Sequence, residues 1–146
     1  MKLPRQKSIL FLCTGNYYRS RFAECLFNSM AGKMGLPWIA TSKGLALERG
    51  FNNVGPMARS AVQVLQAMGA HGDGCDCDRM PAPAAPDDFD KADRVVALKE
   101  AEHRPLLLER FPAWAEKVEY WHVEDDDEAL PHVEREVMEL IARLTA

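Results

Sequence analysis

The sequence predicts a three-layer α/β fold, in which a four-stranded parallel sheet lies between two layers of helices. Short apolar runs typical of buried strands alternate with longer stretches in which apolar residues repeat at every third or fourth position. Strands that alternate with helices in this way favour a parallel sheet with right-handed crossovers. The chain has 146 residues, a length that suits one hydrophobic core. We therefore expect residues 1–146 to form a single domain.

The first strand is predicted at residues 8–13, where a continuous apolar run lies between basic residues and a polar segment. A helix is predicted from Ser20 onward, and Gly32 and Gly35 end its periodic pattern. The later elements are strands at 38–42, 94–98 and 118–121 and helices at 58–68, 101–110 and 133–144. A proline-rich stretch at 81–86 precedes the third strand.

Charge and composition exclude several classes of function. The net charge of -4 gives no support to a nucleic-acid partner, because such proteins usually present a basic surface. No apolar run approaches the roughly 20 residues of a membrane helix, and the basic start of the chain lacks the apolar core of a signal peptide. We expect a cytoplasmic protein without a membrane partner, present as a monomer or weak dimer.

The cysteines and histidines give no indication of a metal centre. In a cytoplasmic protein the four cysteines are expected to be reduced thiols. Cys75 and Cys77 supply only two ligands, too few for a zinc site, and are expected to pack in the core. The histidines His103, His122 and His132 show no metal-ligand spacing and are expected in surface or loop positions.

The segment from Cys13 to Ser20 is the strongest candidate site. Sites in parallel sheets lie at the carboxyl ends of strands, and Cys13 ends the first strand, with Arg19 six positions later at the start of a helix. A loop curling at a helix N-terminus directs backbone N–H groups inward and forms a cradle for a phosphate or sulfate ion. A cysteine at its centre is expected to react as the thiolate. The predicted phosphate-binding residues are Thr14, Gly15, Asn16, Tyr17, Tyr18, Arg19 and Ser20.

Each residue type has a physical reason to be in this loop. Gly15 is expected to adopt backbone angles closed to other residues, and Asn16 to adopt a left-handed conformation while its amide ties the loop together. Arg19 offers a planar fork for bidentate contact with phosphoryl oxygens. Ser20 is expected to donate its hydroxyl to Cys13 and to cap the helix. The alternative, a core cysteine and an unrelated surface arginine, is disfavoured because the strand, loop and helix patterns agree.

These features resemble the low-molecular-weight protein tyrosine phosphatases, whose signature is Cys-x5-Arg-Ser directly after the first strand. The resemblance extends over essentially the whole chain and includes residues 41–44, 55–58, 92–98 and the acid loop at 120–125. It implies a phosphatase without metal or cofactor that hydrolyses phosphotyrosine in proteins or small aryl phosphates. It also implies that Cys13 is the nucleophile, that Arg19 binds the phosphoryl group and that Asp125 is the general acid and base.

The sequence departs from the family pattern at several positions. Tyr18 replaces the usual second cysteine of the loop, so an oxidised Cys13 lacks the neighbouring thiol that would protect it. Asp126 replaces the proline after the acid-loop aspartate, which leaves Asp127 as a second candidate for the acid. Tyr17 stands where phosphoarginine-directed members carry threonine, and this favours an aryl phosphate substrate.

Two other functions remain open from the sequence. A non-catalytic phosphate or phosphopeptide binding module would explain the altered acid loop, although it would not need Cys13. An arsenate reductase-like redox enzyme would need two cysteines after the third strand, and no cysteine follows Cys77.

Overall fold

Four parallel strands form the central sheet, in the order β2-β1-β3-β4. The computed structural model describes residues 5–71 and 75–145. The strands are β1 (Lys7–Cys13), β2 (Trp38–Gly44), β3 (Arg94–Ala97) and β4 (Glu119–Tyr120). The predicted four-stranded parallel sheet is confirmed. Since β1 lies between β2 and β3, its carboxyl end is surrounded by chain segments that can supply side chains to a site.

The strands are connected by helices. These are α1 (Arg19–Met34), α2 (Arg59–Ala67), α3 (Pro86–Lys91), α4 (Glu100–Arg110) and α5 (Ala129–Thr145), with short 3-10 helices at Leu47–Gly50 and Pro112–Trp114. The predicted elements are present, with shifts of a few residues at their ends. Helix α5 begins four residues earlier than predicted. Its first turn contains Pro131, and proline is tolerated at that position of a helix.

Helix α3 was not predicted from the sequence. It follows the proline-rich stretch, and its six residues are too few to show a helical period. Pro86 occupies its first position, which suits a residue without an N–H. The Asp88 carboxylate accepts a 2.7 Å hydrogen bond from the Ala85 N–H and so closes the first turn.

Both faces of the sheet are covered. On β1, Ile9 and Phe11 pack into a core cluster with side chains of α1, α2 and α5. The alternate residues Leu10 and Leu12 pack into a second cluster with side chains of α3 and α4. The continuous apolar run of β1 therefore buries both faces of the strand, and the predicted three-layer fold is confirmed.

Two cysteines are not reduced thiols. Cys25 on α1 and Cys75 form a disulfide across 50 residues of sequence, so the prediction that all four cysteines are free, and that Cys75 packs as a core thiol, is wrong. The fold brings the two Cα atoms to 4.6 Å, within the range that a disulfide requires. Cys13 and Cys77 are free.

Across residues 5–71 and 75–145, each helix is too short or too polar to cross a membrane.

Candidate active site

Residues 13–20, the Cys13 loop, join the end of β1 to the start of α1. Neighbouring backbone N–H groups hold the carbonyl groups of this loop: Leu45 donates to Cys13 and Ala46 to Thr14, both at 2.9 Å. The carbonyl of Tyr17 likewise accepts from Ala58 at 3.0 Å. Carbonyl groups engaged in this way are turned away from the loop's centre, which is what an anion cradle made of N–H groups requires.

Asn16 organises the loop and is 0% exposed. Its φ of 51° lies in the left-handed region, as predicted. The amide nitrogen donates to Ser20 Oγ at 3.0 Å and to Ser42 Oγ on β2 at 2.9 Å. The amide oxygen accepts from the Ala82 N–H at 3.1 Å and from the Arg79 guanidinium at 3.3 Å. One side chain therefore joins the loop to β2, to α1 and to the segment before α3.

The reason for glycine at position 15 differs from the prediction. The positive φ values among the described glycines belong to Gly35, Gly55 and Gly69, so Gly15 does not need unusual backbone angles. A Cβ at this position would lie 3.1 Å from the side-chain nitrogen of Asn53. Glycine is favoured here by the close approach of a neighbouring segment.

Cys13 and Ser20 contact each other at the base of the loop. The Cys13 sulfur is 2.9 Å from Ser20 Oγ, and the cysteine is 3% exposed. Because Ser20 Oγ accepts a hydrogen bond from Asn16, its own proton can be directed to the sulfur. Helix α1 begins at Arg19, with Tyr18 at the capping position and no side-chain cap, so the capping role predicted for Ser20 is wrong.

Arg19 is buried and fixed by partners on three sides. It is 3% exposed, and its Nη1 donates to the Val123 carbonyl at 3.1 Å while Nη2 donates to Glu102 Oε2 at 2.8 Å. Its Nε lies 3.7 Å from Asp125 Oδ1. Burial alone would lower the pKa of Arg19, but the hydrogen bond to Glu102 and the neighbouring negative charges raise it. The guanidinium is therefore a permanent charge held in one plane.

Glu102, on the first turn of α4, is a site residue that the sequence analysis missed. Its Oε2 accepts from Arg19 and from the Thr14 hydroxyl and lies 3.2 Å from His103 Nε2. Burial would raise the pKa of Glu102, but the hydrogen bonds from His103, Arg19 and Thr14 lower it well below the usual range. Its position just beyond the carboxyl end of β3, where sites of parallel sheets lie, was the signal that could have found it.

His103 is fully buried, which corrects the prediction of a surface or loop position. It is 0% exposed, because it lies on the inward face of α4 with Leu106 and Leu107. Its Nδ1 accepts a 3.0 Å hydrogen bond from the Lys99 N–H, so the ring proton belongs on Nε2, which faces Glu102. Burial lowers the pKa of His103, and the neutral ring lies beside the carboxylate without adding charge.

The acidic run that follows β4 is divided among different partners. Glu124 pairs with Lys99, and the Asp126 carboxylate accepts from the Glu128 N–H at 2.9 Å within a turn. Asp125 lies beside Arg19 and lines the cavity that contains Cys13. Asp127 does not line this cavity. The structure therefore brings Cys13, Arg19 and Asp125 together.

The cavity at the Cys13 loop has a volume of about 310 Å³. Tyr17 and Tyr18 form part of its wall. The Tyr17 hydroxyl donates to the Val54 carbonyl at 2.6 Å, and the Tyr18 hydroxyl donates to the Asp126 carbonyl at 3.2 Å. Both rings are thus anchored at their outer ends. Of the predicted phosphate-binding residues, Asn16 and Ser20 support the loop from behind and do not line the cavity. The others do: Thr14, Gly15, Tyr17, Tyr18 and Arg19.

Comparison with known proteins identifies a family that matches most of the chain. Residues 8–142 match the family model of the low molecular weight phosphotyrosine protein phosphatases. No curated protein matches the chain.

Solved structures of the same fold span nearly the whole chain. A low molecular weight protein tyrosine phosphatase from T. tengcongensis is 26% identical, with a TM-score of 0.70 and 95% of each chain covered. Wzb from Vibrio vulnificus, solved with benzylphosphonate, is 18% identical, with a TM-score of 0.73 and coverage of 95% of this chain and 97% of that one. The arginine phosphatase YwlE, a Bacillus subtilis protein, is 22% identical, with a TM-score of 0.75 and coverage of 94% and 95%. The last two show the fold alone.

The family match covers most of the chain and includes both the Cys13 loop and the acid loop. The chain belongs to the low molecular weight phosphotyrosine protein phosphatase family, which confirms the prediction of a cysteine-dependent protein tyrosine phosphatase.

Proposed function

We propose that this phosphatase hydrolyses phosphotyrosine or other aryl phosphate monoesters through a cysteinyl-phosphate intermediate on Cys13. The supporting observation is that Cys13, Arg19 and Asp125 border one cavity. The cysteine is 3% exposed at its base, whereas the Asp125 side chain is 64% exposed. A phosphoryl group bound in the loop would therefore have the sulfur on one side and the carboxyl group on the solvent side, next to the leaving oxygen.

In the first step the Cys13 thiolate attacks phosphorus. A sulfur–phosphorus bond forms while the bond to the aryl oxygen breaks, and Asp125 gives its proton to that oxygen so that a neutral phenol leaves. Arg19 and the backbone N–H groups of the loop bind the non-bridging oxygens, on which charge is spread in the transition state.

In the second step a water molecule attacks the phosphocysteine. The Asp125 carboxylate accepts a proton from the water, the sulfur–phosphorus bond breaks, and inorganic phosphate and the Cys13 thiolate are released. The Ser20 hydroxyl, 2.9 Å from the sulfur, stabilises the departing thiolate by hydrogen bonding. Each step uses only side chains of this chain and water.

Arg19 can bind phosphate without giving up its present partners. A guanidinium carries five N–H donors, and two of them are used by Val123 and Glu102. The remaining donors can face the cavity and its ligand. Glu102 and Val123 thus fix the plane of the guanidinium before the substrate arrives.

The walls of the cavity favour a flat leaving group. Tyr17 and Tyr18 are anchored through their hydroxyl groups, so their rings can contact an aromatic ester by stacking or edge-to-face packing. A phosphoarginine substrate, suggested by the name of YwlE, is the natural comparison in an assay, because its leaving group is not aromatic.

The experiment is a metal-free assay with p-nitrophenyl phosphate between about pH 4 and pH 8. Cys13→Ser should abolish turnover, and Asp125→Asn should lower kcat by about 10²–10⁴-fold, the usual contribution of a general acid. Asp127→Asn is the matched control and should stay within about twofold of the wild type, as expected for a solvated acid.

Three outcomes would contradict the proposal. A larger loss in Asp127→Asn than in Asp125→Asn would move the acid to Asp127. Faster turnover of phosphoarginine than of phosphotyrosine would change the substrate class. Binding of inorganic phosphate without turnover of either substrate would indicate a binding module.

A further inference from the structure

Three sulfur atoms meet away from the Cys13 cavity. Those of Cys25, Cys75 and Cys77 all lie within 4.8 Å of one another, and none of these residues lines that cavity. Cys25 and Cys75 form a disulfide, Cys77 is free, and its sulfur is 2.9 Å from that of Cys75. A thiol in contact with a disulfide sulfur is the reactant pair of thiol–disulfide exchange. The proposed phosphatase mechanism uses none of the three.

Cys25 is less accessible to solvent than the other two cysteines. Cys25 is 1% exposed on α1, so reagents in solution cannot reach its sulfur directly. Cys75 and Cys77 are both half-buried, and Cys77 also lines a separate cavity of about 550 Å³ together with His71 and Asp78. A small reductant can therefore reach the cluster through Cys77.

We propose that Cys25, Cys75 and Cys77 form a reversible thiol–disulfide modification site, which a small dithiol reductant addresses through Cys77. The Cys77 thiolate attacks the Cys75 sulfur, a Cys75–Cys77 bond forms, and the Cys25–Cys75 bond breaks. Cys25 leaves as a thiolate and takes up the proton that Cys77 lost. No electron is gained or lost in this exchange, because one disulfide replaces another.

Reduction then takes place at Cys77, the cysteine that lines the separate cavity. One thiolate of the dithiol attacks the Cys77 sulfur and releases Cys75 as a thiolate, which gives a mixed disulfide. The second thiol of the reagent displaces Cys77 and leaves with the first as a cyclic disulfide. Two electrons pass from the reagent to the protein, and all three cysteines end as thiols.

The cluster is connected to the Cys13 loop through residues 75–82. The carbonyl of Asp76 accepts from Arg21 Nη2 at 2.9 Å, and Arg79 and Ala82 donate to the Asn16 amide oxygen. The disulfide fastens the start of this segment to α1. Reduction of the disulfide removes a covalent restraint from this segment. Because the segment donates hydrogen bonds to Asn16, we expect the Cys13 loop, which Asn16 organises, to be held less firmly. We therefore expect weaker phosphate binding after reduction, an effect that rests on the proposed function, whereas the exchange itself does not.

The disulfide and the thiol can coexist near neutral pH. Burial raises the pKa of the Cys77 thiol, although the Arg21 guanidinium acts in the opposite direction. The attacking thiolate is therefore a minor species. The Cys25–Cys75 disulfide persists until a reductant consumes the Cys75–Cys77 disulfide that the exchange produces.

The first test compares how fast the wild type and Cys77→Ser lose the Cys25–Cys75 bond in dithiothreitol. Disulfides are mapped by mass spectrometry after acid quenching. Because a neighbouring thiol acts at an effective concentration of about millimolar or more, we expect reduction to be at least ~10-fold slower in Cys77→Ser. Gln66→Ala, which alters the same cavity and keeps all thiols and charges, should match the wild type. Equal rates in the wild type and Cys77→Ser would overturn the proposal.

The second test measures the affinity for inorganic phosphate of the oxidised and the reduced full chain. We expect binding to weaken about fivefold or more on reduction, within the usual range of coupling between sites, and Cys25→Ser to bind weakly in both conditions. Equal affinity in both states would overturn the coupling, whereas absence of phosphate binding in either state would contradict the proposed function. Uptake of one Zn²⁺ per reduced chain, with reduction rates independent of Cys77, would make the cluster a metal site and overturn the exchange.

Discussion

Glu102 places a carboxylate against the arginine that must bind an anion. The arrangement has a cost, because Glu102 cancels part of the positive charge that attracts phosphate. It also has a benefit, since Arg19 is only 3% exposed and a buried charge without a partner is strongly destabilising. A guanidinium already held in place needs little reorganisation when charge develops on the phosphoryl group. We interpret Glu102 as the residue that positions Arg19.

Glu102→Gln tests this role. Glutamine keeps the shape of the side chain but loses its charge, and one hydrogen bond to a charged group contributes about 1.5–3 kcal/mol. We expect kcat/KM for p-nitrophenyl phosphate to fall by about 10–100-fold. Glu100→Gln is the matched control, because Glu100 pairs with Arg104 away from the cavity. An equal effect of both substitutions would contradict a specific role for Glu102.

The same substitution gives a pH dependence of stability. The pKa of Glu102 is lowered in the folded protein, so its contribution is complete above the ordinary glutamate pKa and is lost as pH falls toward the folded value. The difference in free energy of unfolding between wild type and Glu102→Gln should therefore shrink from about pH 7 to about pH 3. Urea unfolding at several pH values measures it. A difference that stays constant would mean that Glu102 is not held ionised.

At the scale of elements, the sequence analysis predicted those features that depend on residues close to one another in the sequence. The Cys13 loop was found because its residues are consecutive and a strand and a helix flank them. Glu102 is 83 residues from Arg19, and their contact depends on the register that pairs Leu12 of β1 with Ala97 of β3. Apolar periodicity does not specify that register, so Glu102 and the Cys25–Cys75 bond could not be predicted in the same way.

The end of β2 lies close to the Cys13 loop at Gly44. A Cβ at this position would lie 2.9 Å from the Thr14 carbonyl oxygen and 3.1 Å from Asn16 Cβ. Both atoms belong to a loop fixed by hydrogen bonds, so Gly44→Ala should displace the loop. We expect a loss of about 1–3 kcal/mol in the free energy of unfolding, as for other overpacked sites, and a lower kcat/KM.

Gly32→Ala is the control for this prediction and should raise the free energy of unfolding instead of lowering it. Gly32 lies in α1 with no atom within 4 Å of an added Cβ, and alanine is favoured over glycine in helices by about 0.5–1 kcal/mol. Denaturant unfolding and the phosphatase assay, applied to both variants, measure the two effects. Gly44→Ala with wild-type stability and activity would show that the loop is not constrained by β2.

At the scale of the whole molecule, an anion site operates in a protein of net charge -4. The net charge therefore does not favour attraction of phosphate to this chain, and binding depends on local groups. Those groups belong to separate elements: the loop after β1, Arg19 at the start of α1 and Asn16 with its bonds to β2 and to residues 75–82. A ligand that binds only when these elements are assembled stabilises the whole fold by mass action.

Inorganic phosphate should therefore raise the stability of the entire chain. At a concentration 100 times Kd, the gain is about 2.7 kcal/mol, or about 5–10 °C in Tm for a domain of this size. Phosphate also stabilises proteins in general by exclusion from their surface, so Arg19→Gln provides the reference. We expect the Tm of Arg19→Gln to rise only by the amount that surface exclusion of phosphate produces. Cys13→Ser should show the full rise in Tm, because the thiol is not needed for binding. Thermal unfolding in phosphate and in chloride of equal ionic strength measures the rise in Tm for each variant. Equal rises in the wild type and Arg19→Gln would place the ion elsewhere than in the Cys13 loop.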